Sequence, residues 1–125
     1  MDTLTEVFGD VISVYTREQA IEDGVLVDVT EWGSSTKGFI GGFNCPVVFT
    51  RALWGAVETK TTNQDTRGRA HDVLFMASLA LKAALARKLD GTNFQVLLRV
   101  GRKVKQILRV VADGDGVTIG FPEDF

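Results

Sequence analysis

One imidazole and one thiol, His71 and Cys45, are the residues best suited to chemistry in this chain of 125 residues. An imidazole ordinarily titrates near neutrality and can act as a general base. His71 is flanked by Arg69 and Asp72 on what reads as the first turn of an amphipathic helix, so a helix-entry role competes with a catalytic one. Cys45 precedes Pro46, and as a nucleophile it would need His71 to activate it. A buried structural thiol is the simpler reading. One His and one Cys are too few for a typical structural zinc site. The run Asp113-Gly114-Asp115-Gly116 invites a calcium reading, but the EF-hand spacing would require an oxygen ligand where Val117 stands. It fits a β-hairpin turn better. Neither phosphate-cradling glycine motif occurs, although Gly33–Gly42 is a glycine-bearing stretch able to cover a ligand, with Trp32 and Phe43 as stacking candidates. The expectation is no enzyme, no metal and no cofactor.

Charge is more informative. Net charge is −2, yet residues 1–44 hold eight acids against two bases, whereas residues 94–112 hold five bases and no acid. Two candidate binding surfaces follow. Arg99, Arg102, Lys105 and Arg109 could gather near the Arg102-Lys103 turn and hold a phosphate through charge-assisted hydrogen bonds. Glu18, Glu22 and Asp23 could present an acidic face to a basic protein. The two charged segments could also face each other in the fold or in an oligomer. Basic residues along a sheet edge serve equally to prevent sheet-to-sheet aggregation. A sequence pI of about 5.3 and the absence of a reading motif disfavour nucleic acid as the partner.

The elements that must position these groups can be read in order. A chain of 13.6 kDa is a single domain, residues 1–125, large enough to bury a core without disulfide staples. Val11–Tyr15 reads as a strand, and Thr16 with Gln19 as a capping box opening a brief helix over Arg17–Asp23, ended by Gly24. Val25–Val29 reads as a second strand, and Thr30–Gly42 as a loop crossed by a short Phe39–Ile40 segment. A helix is expected from Val47–Thr50 to Glu58, then a polar linker over 59–67, then a long helix from Arg69 to Leu89 ended by Asp90-Gly91. Three strands follow, with alternation beginning at Phe94, then Val104 and then Val117. The fold class is α+β: an antiparallel sheet with a C-terminal β-meander packed against one long helix, preceded by a short β-α-β segment.

The run YTREQAIEDGVLVDV, followed by a proline before an apolar helix ending in Trp54, resembles a family of small plasmid- and phage-encoded proteins, often labelled "plasmid-related". The likeness is strongest over Val14–Val29 and Pro46–Trp54, weaker through RAHDVLFMASLAL, and reaches the basic strands and acidic C-terminus. That family has no established function, so no catalytic residue transfers. The resemblance implies a mobile-element origin and a bacterial cytoplasm, consistent with an acidic N-terminus that lacks a signal-peptide pattern and with no membrane span. Three roles are then open. The first is a binding protein that inhibits a host defence factor. The second is an oligomeric sponge for a phosphorylated small molecule or signalling nucleotide, and the third a housekeeping accessory of the element.

Overall fold

Thr16 opens the first helix as its capping box predicts. Its hydroxyl accepts from the Gln19 amide at 3.1 Å, and Gln19 returns a bond to the Thr16 amide at 3.0 Å. The computed structural model describes residues 16–35, 43, 45–58 and 63–125. The strand expected over Val11–Tyr15 and the Phe39–Ile40 segment lie outside the described residues. Helix α1 spans Arg17–Glu22, and Gly24 turns the chain at φ +79° into β1, Leu26–Asp28.

Part of the expected glycine loop is a helix instead, α2, Thr30–Ser35. The Asp28 carboxylate accepts from the Thr30 amide at 2.9 Å and starts it. Gly33 belongs here because a Cβ would lie 3.2 Å from Val47 Cγ2. The glycine marks close packing of helix on strand rather than a loop.

The helix expected to start within Val47–Thr50 begins just beyond that range, at Arg51. Val47–Thr50 is strand β2, all four residues buried, and α3 runs Arg51–Val57. Pro46 bars helical angles before it, and two β-branched valines favour extension. A strand buried on both faces carries no alternation, which is why its apolar run resembled a helix start. Thr50 is the cap between the two elements, its hydroxyl accepting from the Leu53 amide at 3.2 Å.

The long helix α4 is Asn63–Ala86, so most of the expected polar linker is its first turns. Thr66 is buried there, and the Arg69 guanidinium donates to the carbonyls of Val57 at 3.0 Å, Ala56 at 2.7 Å and Arg99 at 2.7 Å. The helix ends earlier than Asp90-Gly91: Lys88 takes left-handed angles (φ 62°), and the Leu89 amide reaches back to the Ala84 carbonyl. That is a Schellman closure, normally a glycine's task.

Three strands complete the fold: β3 Gly91–Val100, β4 Lys103–Asp113 and β5 Gly116–Gly120, followed by a 3-10 turn at Pro122–Asp124. The sheet order is β1-β2-β5-β4-β3. All neighbours are antiparallel except β2 and β5, which pair in parallel, Val47 opposite Val117 and Phe49 opposite Ile119. The α+β reading holds, with a mixed rather than wholly antiparallel sheet. One face carries Phe49, Leu108, Val110, Val117 and Ile119, which share a single core with Leu53 of α3 and Val73, Leu74 and Ala77 of α4. Thr118 alternates to the opposite face, where Arg17 of α1 donates to its hydroxyl at 3.2 Å and to the Val117 carbonyl at 3.1 Å.

Candidate functional site

The β3–β4 hairpin carries the basic residues, and its pairing fixes where they go. Leu97 stands opposite Lys105, Gln95 opposite Ile107 and Asn93 opposite Arg109. Their neighbours Phe94, Val96, Leu98, Leu108 and Val110 are buried toward α4. Strand alternation therefore turns Asn93, Gln95, Leu97, Lys105, Ile107 and Arg109 to the outer face.

The four bases do not converge. Lys105 and Arg109 are four residues apart on one strand, about 13 Å between Cα atoms. Arg109 lies at the end of the hairpin away from the Gly101-Arg102 turn, half-buried, and its guanidinium donates to Asn93 Oδ1 at 3.1 Å. Arg102 sits in the turn itself, and a register shift between Leu97 and Val100 interrupts the alternation at Arg99. The expected phosphate cluster is thus a spread of cations around an apolar centre. Leu97 is 65 % exposed and Ile107 51 % exposed, diagonal neighbours on this face.

Glu18, Glu22 and Asp23 are all exposed on and just after α1, which packs against β1. β1 and the hairpin edge strand β3 lie at opposite edges of the sheet. Among the described residues, the acids of α1 thus lie on the β1 side of the sheet and the basic residues on the β3–β4 side.

Cys45 is a free thiol, half-buried against the core, and His71 is half-buried on α4. Asp113 pairs with Gly116 across a two-residue turn, where Asp113 Oδ1 accepts from the Asp115 amide at 2.8 Å. No cluster of three metal-ligating side chains occurs among the described residues. Phe43 is core, 6 % exposed, and not a stacking platform. Trp32 instead meets Trp54, ring centroids 5.8 Å apart, with the Arg67 guanidinium 5.9 Å from the Trp32 centroid. The Trp54 partnership was not anticipated, since the pair spans two helices distant in sequence.

The model of a family of unknown function, DUF6573, matches residues 5–98, about three quarters of the chain. The chain belongs to the DUF6573 family. No curated protein and no solved structure matches it. The matched segment covers α1, the Trp pair, α4 and nearly all of β3; in this DUF6573 member β4 and β5 lie beyond it. No described helix is long and apolar enough to cross a membrane.

Proposed function

We propose that this DUF6573 member is a non-catalytic binding protein that inhibits a host protein through the outer face of its β3–β4 hairpin. The observation that carries the reading is the exposed Leu97–Ile107 pair with Lys105 and Arg109 beside it. An apolar centre with a charged rim is how protein interfaces are built, and exposed aliphatic side chains on neighbouring strands favour a partner that covers them. The face offers Gln, Leu, Ile, Lys and Arg, groups suited to holding a protein surface. The cationic rim selects an acidic partner surface.

A phosphorylated small molecule fits this face less well. The cations stand apart on an open sheet, and Arg109 already spends one donor on Asn93. The idea that the partner is a defence factor of a bacterial host rests on the resemblance to plasmid- and phage-encoded proteins.

The test is affinity capture from bacterial lysate with three forms of the protein: unaltered, Lys105→Glu/Ile107→Glu, and Glu18→Lys/Glu22→Lys/Asp23→Lys. A partner held by the unaltered and the α1-altered forms, lost from the hairpin variant and released by salt, supports the reading. Capture by the hairpin variant with loss from the α1 variant would transfer the contact to the acidic helix and overturn it.

A further inference from the structure

The two tryptophans of the chain, Trp32 on α2 and Trp54 on α3, meet beside a cavity that shares no residue with the hairpin. Its volume is about 220 Å³, and among the described residues its walls are Asp28, Val29, Glu31, Trp32 and Trp54. The rings are tilted by 42° with centroids 5.8 Å apart, so they form a wedge rather than a closed stack.

One strand holds both rings. The Val47 amide donates to the Thr30 hydroxyl at 3.0 Å, and the Val29 amide to the Val47 carbonyl at 3.0 Å, which fixes the start of α2 on β2. β2 runs directly into α3, where Thr50 caps the helix that carries Trp54. The site is therefore shaped before any ligand arrives, which lowers the ordering cost of binding.

Charge decides what it takes. Two walls are carboxylates, and none is a base among the described residues. Asp28 Oδ1 accepts from the Thr30 amide at 2.9 Å and the Thr30 hydroxyl at 2.5 Å, whereas Oδ2 has no hydrogen-bond partner among the described residues. Indole faces attract cations, and Trp32 already has one beside it. That cation is the exposed Arg67 guanidinium, 5.9 Å from the ring centroid and not one of the cavity walls. A metal ion or a primary ammonium needs a shell of oxygen acceptors, and indole and valine surfaces supply none. A quaternary ammonium has no N–H to satisfy, spreads its charge over methyl groups and gains from apolar walls. The cavity is smaller than the roughly 300–1,000 Å³ of sites for drug-sized ligands, so it takes a head group rather than a whole nucleotide.

We propose that the Trp32–Trp54 cavity binds a trimethylammonium group, with the indole faces against its methyls and Asp28 balancing its charge. Such a group is carried by a free molecule of the choline type or by a trimethylated lysine side chain, and the site reads the same head in both. It shares no residue with the outer hairpin face, so the two proposals stand or fall separately.

Both tryptophans of the chain lie in the site, so intrinsic tryptophan emission reports on it alone. Emission is titrated at constant ionic strength with choline, tetramethylammonium, N-acetyl-trimethyllysine amide and 3,3-dimethylbutanol, the uncharged isostere of choline. The unaltered protein, Asp28→Asn and Trp54→Leu are compared, with circular dichroism of each. The expected result is a saturable change with the trimethylammonium probes and about tenfold weaker binding of the alcohol. Asp28→Asn, whose amide oxygen can still accept from Thr30, binds the cations about threefold more weakly, and Trp54→Leu about tenfold. Should Trp54→Leu lose its folded spectrum, Asp28→Asn decides. Tighter binding of the lysine probe than of choline assigns the head to a protein side chain, and the reverse order to a free molecule; either supports the site. An alcohol that binds as well as choline overturns the proposal. So does the absence of a saturable change with all three cations, or an Asp28→Asn variant that binds them as tightly as before.

Discussion

Lys88 takes a conformation that its side chain does not favour. Its φ of 62° lies in the left-handed region, where a Cβ crowds the following carbonyl at a cost of roughly 1–2 kcal/mol. The position cannot relax, because the Lys88 and Leu89 amides close the last turn of α4 onto the carbonyls of Leu85 and Ala84. The side chain is exposed, so little packing is lost on removing it. Lys88→Gly should therefore stabilise the protein by about 0.5–1 kcal/mol once the extra freedom of glycine in the unfolded chain is counted. Urea unfolding measures this, and the melting temperature should rise by roughly 2–4 °C. A destabilised Lys88→Gly would mean that the side chain contributes more than its exposure shows. Position 88 also explains why the end of the helix is hard to read in advance. Asp90-Gly91 carries the usual stop signal, but Gly91 serves β3, where a Cβ would lie 2.6 Å from the Val110 carbonyl oxygen.

At the scale of elements, Arg69 does the most joining. One guanidinium ties the C-terminal carbonyls of α3 to α4 and to the far end of β3. Arg69→Ala leaves those carbonyls without that donor and should cost about 2–3 kcal/mol, read from denaturant midpoints with the slope unchanged. Arg69→Lys should recover only part, because an ammonium cannot reproduce the fork. Such a residue leaves no periodic signal, which is why α4 reads as starting near Arg69 when it begins at Asn63. By contrast the local signals were sufficient elsewhere. The Thr16–Gln19 capping box, the Gly24 turn, the Asp113–Gly116 hairpin and the alternation of β3 and β4 all lie within a few residues of what they specify. The strand β2 was not legible, since its partner β5 comes from the end of the chain and a strand buried on both faces shows no period of two. The basic residues of the candidate surface were legible as a charge run. The exposed Leu97 and Ile107 between them were not, because alternation shows which residues share a face but not which face packs against α4.

At the scale of the whole molecule, the parallel β2–β5 contact makes the fold one unit. β2 and β5 lie between β1 and β4, and their side chains Phe49 and Ile119 are fully buried in the core that also holds Leu74 of α4 and Leu108 of β4. None of β2, β5, β4 and α4 can leave without opening that core. The C-terminus is fastened to the middle of the chain as well: the Thr50 hydroxyl donates to Asp124 Oδ2 at 2.7 Å, and the same oxygen accepts from the Phe121 amide at 2.9 Å. Amide hydrogen exchange should therefore report one global free energy for the slowest amides of β2, β4, β5 and the buried turns of α4. The exposed hairpin tip around Gly101 should exchange by cheaper local opening. Leu74→Ala tests the coupling directly. Its cavity should cost about 3 kcal/mol, and the slowest amides of β2 and β5, on other elements, should lose protection by the same amount as those of α4. If β2 and β5 kept their protection while α4 lost its own, the sheet would be stable without the helix. The chain would then fold as two units rather than one.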